Sequence, residues 1–258
     1  MTDTILETEG LTKEFRGFVA VSDVALKVRR GSIHGLIGPN GAGKTTCFNL
    51  LTKFLPPTRG TIRYDGRDIT GLKSADVARL GLVRSFQISA VFPHLSVLEN
   101  VRVALQRQRG GSFDFWRSDS LLRQYDDRAM ALLEDVGLTA YAGLTAGELP
   151  YGRKRALEIA TTLAMDPAMM LLDEPTAGMT HEDVDRIVAL VRRVAAGRTV
   201  LMVEHNLKVV EGLCDTITVL TRGRILAEGD YASVSKNPEV VTAYLGSDAT
   251  IAGASAHG

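Results

Sequence analysis

The sequence has few cysteines, no excess of either charge and no long apolar run. Two cysteines among 258 residues give no disulfide framework and suit a reducing cytosol. The 30 basic and 30 acidic residues cancel, which disfavours nucleic acid as the main partner and leaves only a local basic patch open. No apolar run approaches the ~18 residues that a bilayer-spanning helix needs, and the polar start, residues 1–4, is not that of a signal peptide. The length suits one large α/β domain or two small lobes.

Tryptophan is also scarce, and the only one lies in an aromatic cluster. Trp116 stands close to Phe113 and Phe115 in residues 109–120, whose composition predicts a loop. Three aromatic side chains in a loop either form a contact patch for a partner or pack locally under the loop.

A glycine-rich segment between a predicted strand and a predicted helix is the most informative stretch. Apolar residues 33–37 predict the strand, and periodicity predicts an amphipathic helix over 45–55. Glycines let backbone N–H groups curl toward phosphate oxygens, and the helix start adds its positive dipole end. The segment, called the phosphate loop below, consists of Gly38, Pro39, Asn40, Gly41, Ala42, Gly43, Lys44, Thr45 and Thr46. Lys44 would reach the β- and γ-phosphates of a nucleotide, Thr45 would bind Mg²⁺, and Thr46 would assist at the α- and β-phosphates.

Cys47 follows the phosphate loop directly. One interpretation is a small buried residue of the helix. The other is a thiol whose modification blocks nucleotide binding.

Apolar spacing outlines the remaining organisation. Alternating residues 5–9 predict an edge strand. From about Ser96 to Leu163, apolar residues recur at helical spacing, which predicts a helical lobe inserted into an α/β core. The recurring residues are Val97, Leu98, Val101, Val103, Leu105, Leu121, Leu122, Met130, Leu132 and Leu133.

Two carboxylates close an apolar predicted strand at residues 168–172. Asp173 can bind Mg²⁺ through water at the strand end, and Glu174 can polarise an attacking water. An ordinary acidic turn is the alternative, but acidic residues rarely close so apolar a strand without a ligand. His205 also follows a predicted buried strand, 199–203, and is either a core histidine or part of the nucleotide site.

With these motifs in this order, the sequence resembles the ATP-binding subunits of ABC transporters over nearly its whole length. Phe15 matches the A-loop aromatic, which stacks on adenine, and Gln87 matches the glutamine loop. Residues 173–176 (DEPT) match the extended Walker B segment, and residues 177–180 fall at the D-loop. His205 matches the switch histidine. The signature-motif position is occupied by Leu149, Pro150, Tyr151, Gly152 and Arg153.

Finer features are similar to the branched-chain amino-acid importer subgroup. They are residues 84–87 (RSFQ) with Phe92 and residues 95–100 (LSVLEN) after them, the Tyr-Gly form of the signature, the Ala-Gly-Met D-loop and the ending 237–246 (NPEVVTAYLG). Urea and amide importers share much of this pattern, so they stay the alternative solute class. A nucleotide-gated ABC subunit with weak hydrolysis is the alternative activity.

The resemblance implies an α/β fold: a P-loop NTPase core, RecA-like with a mixed sheet, an antiparallel β subdomain and an inserted α-helical subdomain. The ABC ATPase domain would cover 1–246, with the core at about 1–87 and 165–246 and the helical subdomain at about 96–164. Residues 247–258 are rich in Ala, Gly, Ser and Thr, and we expect them to form a disordered tail.

The resemblance also implies ATP and Mg²⁺ as cofactors of an ATPase coupled to transport. Thr45, Gln87 and Asp173 would surround Mg²⁺. Glu174 would orient water for attack, and His205 would contact the γ-phosphate. Two subunits would pair head to tail, so that the signature of each serves the nucleotide of the other.

The implied partners are a second ATPase subunit, different or identical, and the transmembrane permease subunits. An external solute-binding protein would act indirectly, and nucleic acid is not among the partners. Residues Gln87–Ser96 would receive a short helix of the permease, with Val91, Phe92 and Leu95 either exposed for that contact or packed internally. The chain would be peripheral at the cytoplasmic face of the inner (plasma) membrane.

Three positions depart from the family's pattern. Pro150 replaces a serine whose hydroxyl would donate to the partner's γ-phosphate, Arg153 replaces a glutamine, and Thr180 occupies the D-loop aspartate position. Proline suits the first turn of a helix, the Gly152 amide can still face phosphate, and Arg153 can offset some of the loss by its charge. Because the serine hydroxyl is missing, we expect the two nucleotide sites of a heterodimer to be unequal and hydrolysis in a homodimer to be slow.

Three other functions explain less of the sequence. ABC ATPases of DNA repair carry long coiled-coil insertions and those of translation usually carry two ATPase units, and neither feature is present. A P-loop small-molecule kinase leaves the signature segment, Gln87 and His205 unexplained. A non-catalytic nucleotide-gated module fits the altered signature, but not the presence of Glu174 and His205.

Overall fold

The computed structural model describes residues 3–85, 91–108 and 124–244. They divide into two units: the first contains the residues up to Val77 and those from Thr199 onward, and the second contains Ala78–Arg198. Gln87, the aromatic segment 109–120 and the expected disordered tail 247–258 lie outside the described residues. The subdomain bounds inferred from the sequence stay a prediction. None of the described helices has the length and apolar character that crossing a bilayer requires.

An antiparallel sheet in the first unit has β1 at its centre. Its strands are β1 (Thr4–Phe15), β2 (Phe18–Val24), β3 (Lys27–Arg29), β5 (Arg59–Tyr64) and β6 (Arg67–Asp68). Leu6 of β1 pairs with Val28 of β3 on one side of the strand and with Tyr64 of β5 on the other side. The edge-strand prediction for residues 5–9 is therefore wrong. Ile5 and Leu6 are adjacent and both buried, whereas Glu9 is exposed, so burial alternates along only part of this segment.

The second sheet of the first unit carries the phosphate loop. Its order is β11–β10–β4–β9, with β4 (Ile33–Ile37), β9 (Thr199–Val203), β10 (Thr216–Thr221) and β11 (Arg224–Gly229). β4 runs parallel to β9 and β10, and β11 is antiparallel to β10. Every residue of β4 and β9 is buried, which explains why both strands have continuous apolar sequences. The strand predictions at 33–37 and 199–203 are confirmed.

Short helices complete the first unit. They are α1 (Lys44–Leu51), α7 (Leu207–Leu213) and α8 (Tyr231–Ser235), with α2 (Ser74–Arg79) where the chain passes to the second unit. Residues 238–244 are also helical. α1 ends earlier than the predicted 45–55, because Lys53 has a φ of 60°, in the left-handed region, which an α-helix cannot pass through.

Among its described residues, the second unit combines two parallel strands with four longer α-helices. β7 (Leu82–Ser85) pairs in parallel with β8 (Met169–Asp173). The helices are α3 (Val97–Gln108), α4 (Asp126–Asp135), α5 (Tyr151–Leu163) and α6 (His181–Val194). α3, α4 and α5 pack on one another. Their predicted apolar face is confirmed in part. Five of the predicted residues are buried: Val97, Val101, Leu105, Leu132 and Leu133. Leu98, Val103 and Met130 are half-buried, and Leu121 and Leu122 lie outside the described residues.

Candidate nucleotide-binding site

The phosphate loop leaves the carboxyl end of β4 and leads into α1. Gly38 has a φ of 150°, and a Cβ there would lie 2.1 Å from the carbonyl oxygen of Leu220, so no side chain fits at the start of the loop. A Cβ at Gly43 would lie 2.5 Å from the carbonyl oxygen of Ala20 in β2. The loop backbone is therefore packed tightly against two strands. Glycine at the N-cap of α1 leaves the first-turn N–H groups for an anion.

Lys44 is buried against the phosphate loop. Its ammonium donates to the carbonyl oxygens of Gly38 at 2.7 Å and Pro39 at 3.0 Å. The charge is thus already held at the loop, where a phosphate would meet it. Thr45 is exposed and Thr46 half-buried in the first turn of α1, so both hydroxyls lie beside the free helix end.

Phe15 lies at the tip of the β1–β2 hairpin, opposite Phe18. Both rings are exposed, by 41% and 68%. The ammonium of Lys13 lies 5.1 Å from the centroid of the Phe15 ring. An exposed ring backed by a cation provides a stacking platform for a planar base, and Phe15 is not part of the core.

His205 and the phosphate loop share one edge of the parallel sheet. Leu36 of β4 pairs with Val203 of β9, so both strands deliver their next residues to the same side. His205 is exposed there and is not a core histidine. Glu204 is 3% exposed, and its Oε2 accepts hydrogen bonds from the backbone N–H groups of His205 at 3.0 Å and Asn206 at 3.2 Å. This carboxylate shapes the turn that presents His205, a role that sequence reasoning missed.

Asp173 is the last residue of β8, and Glu174 follows it. Asp173 is 6% exposed, and its Oδ2 accepts a hydrogen bond from Nη2 of Arg84 in β7. Glu174 is half-buried and has a φ of 46°. A left-handed conformation is uncommon for a residue with a side chain and often marks a functional site.

The chain leaves β7 beside Asp173. Ser85 pairs with Leu172, so β7 and β8 end at the same edge. Gln87 lies two positions further, outside the described residues. The sequence signal for Arg84 was its place in residues 84–87, but nothing in the pattern indicated its ion pair.

The signature segment forms the start of α5. Pro150 is the N-cap, with φ −56° and ψ 154° and no side-chain capping bond, and Tyr151 and Gly152 begin the helix. The guanidinium of Arg153 lies 4.1 Å from the ring centroid of Tyr141, so its charge is held by cation–π contact. Leu149 is buried.

Thr180, at the D-loop aspartate position, caps α6. Its hydroxyl accepts from the backbone N–H of Asp183 at 3.4 Å and lies 3.2 Å from Oδ2 of the same residue. Threonine is a favoured N-cap, which provides a structural reason for this residue here.

The segment before α3 is held by one buried amide. The side chain of Asn100, 2% exposed, accepts from the N–H of Phe92 at 2.7 Å and donates to the carbonyl oxygens of Phe92 at 3.1 Å and Ser96 at 2.9 Å. Phe92 is 52% exposed, as the permease-contact prediction requires. Val91 and Leu95 are only half-buried.

Tyr244 connects the C-terminal helical residues to the phosphate loop. Burial raises its pKa to about 12, and a hydrogen bond from the backbone of Gly38 opposes that rise. Its ring packs on a buried cluster that includes Ile37. Sequence reasoning assigned no role to this tyrosine.

Cys47 is fully buried in α1, and burial raises its pKa to about 12. The thiolate, which is the reactive form, is therefore disfavoured. The interpretation of Cys47 as a small buried helix residue is confirmed.

Comparison with known proteins agrees with this geometry. Residues 21–177 match the family model of the ABC transporter, and residues 224–250 match that of the branched-chain amino acid ATP-binding cassette transporter. The high-affinity branched-chain amino acid transport ATP-binding protein BraF of Pseudomonas aeruginosa is 41% identical, over 95% of this chain and 99% of its own length. The corresponding protein LivG of Escherichia coli K12 is 39% identical, with the same 95% and 99% coverage.

Solved structures lead to the same family. The ADP conformation of MJ1267, an ATP-binding cassette of an ABC transporter, has a TM-score of 0.83 and 31% identity, covering 95% of this chain and all of its own. The geometry of the phosphate loop and of His205 therefore agrees with the family indicated by similarity over 95% of the chain. The chain belongs to the ATP-binding subunits of ABC transporters, which are ATPases.

Proposed function

We propose that this chain binds and hydrolyses ATP to power an importer of branched-chain amino acids. The observation that carries the ATPase part is the shared sheet edge from which the phosphate loop and His205 emerge. The match of residues 224–250 to the branched-chain family model and the name of the relative BraF support the solute class.

The phosphate loop and Phe15 bind the nucleotide. Backbone N–H groups of the loop and the start of α1 receive the phosphate oxygens, and the ammonium of Lys44 turns from the loop carbonyls to the β- and γ-phosphates. The exposed ring of Phe15 stacks on adenine.

The residues assigned to Mg²⁺ fit that ion, because oxygen donors are what it prefers. Thr45 offers a hydroxyl at the helix start, Gln87 an amide oxygen, and Asp173 a carboxylate held by Arg84. When bound, Mg²⁺ neutralises charge on the phosphate oxygens. The ion pair with Arg84 engages Oδ2 and fixes the direction of the Asp173 carboxylate, so Oδ1 is the oxygen that would bind Mg²⁺.

Glu174 and His205 carry the chemistry. The Glu174 carboxylate orients a water and accepts its proton, and His205 holds the γ-phosphate in line with that water. Most of the catalysis is positioning and charge stabilisation, which suits a site whose turns are set by buried groups such as Glu204.

Two surfaces support the proposed partners. The α5 start, from Pro150 to Arg153, serves the nucleotide of a second ATPase subunit, and exposed Phe92 contacts the permease. A solute-binding protein acts outside, through the permease. The chain then lies at the cytoplasmic face of the inner membrane.

An ATPase assay of the chain in its assembled transporter tests the activity. Lys44→Ala should abolish nucleotide binding, while Glu174→Gln should keep binding and abolish turnover. Glu211→Gln, an exposed carboxylate of α7, is the matched control and should behave as wild type. A Glu174→Gln variant with wild-type turnover would exclude Glu174 as the base.

Transport in proteoliposomes tests the solute. ATP-dependent uptake of leucine, isoleucine and valine supports the proposal. Uptake of urea or short amides in place of them favours the alternative solute class. Tight ATP binding with hardly any turnover, in either case, favours the nucleotide-gated alternative that Pro150 suggests.

A further inference from the structure

Arg155 is buried in the first turns of α5, two residues after the last residue of the signature segment. It is 5% exposed, and its Nη1 donates to Oε2 of Glu158 at 2.7 Å. Glu158 is 2% exposed. A buried pair of this kind loses most of its solvation, so an apolar pair of similar volume would serve stability as well or better. Its presence calls for a reason other than stability.

The second contact of Arg155 supplies that reason. Its Nη2 lies 3.5 Å from the backbone carbonyl oxygen of Glu174. The same oxygen accepts from the N–H of Ala177 at 3.1 Å. The backbone carbonyl oxygen of Glu174 is therefore held by two donors, the N–H of Ala177 within a turn and the guanidinium of Arg155.

The backbone at Glu174 needs such support. Its φ of 46° lies in the left-handed region, which side-chain-bearing residues leave unless the surroundings hold them. Relaxation to an ordinary φ would swing the Cα–Cβ bond and move the carboxylate away from its water. A displacement of that kind reduces turnover without touching the phosphate loop.

Arg155 also contacts the signature itself. Its guanidinium lies 5.9 Å from the ring centroid of Tyr151. Arg155 thus lies against Tyr151, which we assign to the partner's nucleotide, and against the backbone of Glu174, which we assign to hydrolysis in this chain's own site.

We propose that Arg155, held by Glu158, is a positioning residue that keeps Glu174 in its left-handed conformation and connects the signature end of α5 to it. The inference rests on the proposed role of Glu174 in orienting water. Arg155 does not contact nucleotide and acts only through the Glu174 backbone.

The test uses the assembled transporter, with kcat calculated per titrated ATP-binding site. Arg155→Met alone leaves Glu158 buried without its cation and destabilises the fold. The double variant Arg155→Met with Glu158→Met removes both charges and should recover the melting temperature. We expect its kcat to stay about tenfold or more below wild type, with KM and the ATP dissociation constant within about twofold. Recovery of kcat together with the melting temperature would overturn the proposal.

Two further variants sharpen the result. Arg155→Lys keeps a cation near the carbonyl and should recover part of kcat, whereas no recovery beyond Arg155→Met would count against a hydrogen-bonding role. Arg186→Met removes an exposed arginine that pairs with Glu182 and Asp183 on α6, and this matched control should leave kcat unchanged. Failure of the proposed function itself shows separately, as wild-type turnover in Glu174→Gln.

Discussion

Arg84 and Asp173 join the ends of two neighbouring parallel strands through a nearly buried ion pair, with side chains 12% and 6% exposed. The Arg84 guanidinium donates a hydrogen bond to Oδ2 of Asp173, the carboxylate that we assign to Mg²⁺. Removal of one partner of a buried pair leaves an uncompensated charge, so Arg84→Met should lower the free energy of unfolding by about 3 kcal/mol or more. Mg²⁺ with ADP should reduce this deficit, because a bound cation offsets the same carboxylate. Urea unfolding with and without Mg²⁺–ADP measures both effects.

The control for Arg84 is another arginine–aspartate pair. Arg30 and Asp65 are 39% and 66% exposed, and exposed pairs contribute roughly 0–1 kcal/mol. Arg30→Met should therefore change the unfolding free energy little, with or without Mg²⁺. Equal stability of the Arg84→Met and Arg30→Met proteins would contradict the role of Arg84.

Stability should fall at acid pH through His34. Burial, and secondarily the charge of Arg29, lowers the pKa of His34 from 6.5 to about 4. Between those values the unfolded chain binds the proton and the folded chain does not, so the free energy of unfolding decreases as the pH falls through this window. The loss reaches about 3 kcal/mol near pH 4.

Urea midpoints between pH 7 and pH 4 measure this dependence. Nε2 of His34 lies 2.8 Å from the Thr218 hydroxyl, which donates to Glu228 at 2.6 Å. His34→Gln can still donate to Thr218 but cannot titrate, so its profile should be flatter. His181→Gln, at an exposed site, should keep the wild-type profile. The same slope in both variants would mean that other groups dominate.

Glu204 should affect turnover through the shape of the His205 turn. Glu204→Ala removes the acceptor of two backbone N–H groups, and we expect kcat to fall about tenfold with little change in ATP affinity. Glu204→Gln retains an acceptor oxygen and should lie close to wild type. Steady-state ATPase kinetics and nucleotide titration separate the two quantities, and wild-type kcat in Glu204→Ala would show that the turn holds without this carboxylate.

Pro150→Ser should raise turnover. The backbone at position 150 already has N-cap geometry, so serine fits, and its hydroxyl can donate to the partner's γ-phosphate. A donor of this kind at a developing charge is worth tenfold or more, about 1.4 kcal/mol at least. The gain of a helix cap, about 1 kcal/mol, and the loss of proline rigidity, about 0.4–1 kcal/mol, nearly offset each other, so the melting temperature should hardly change.

The pairing of the subunits decides how large the Pro150→Ser effect is. In a homodimer both sites gain the hydroxyl, whereas in a heterodimer only the partner's site does. Pro150→Ala lacks the hydroxyl and should show no gain. An unchanged rate for Pro150→Ser in the assembled transporter would contradict the assignment of this segment to the partner's nucleotide.

The sequence predicted local elements well where one physical signal was sufficient. Continuous apolar runs became the buried strands β4 and β9, and helical spacing placed the buried face of α3. α1 ended early because of a left-handed Lys53, and β1 was central although alternation suggested an edge. Helix ends and strand neighbours depend on distant segments, which local spacing does not report.

By itself, the sequence determined the glycine pattern of the phosphate loop, the polar residues that close buried strands and the proline at the start of α5. Each is a local property of backbone conformation and hydrophobic spacing. Only the tertiary structure decided which charges hold these residues: Arg84 on Asp173, Arg155 on the Glu174 backbone and Glu204 under His205. The first two contacts join different elements of the chain, and the third depends on the burial of a carboxylate in the fold. Side-chain packing, which no local pattern encodes, selects such partners.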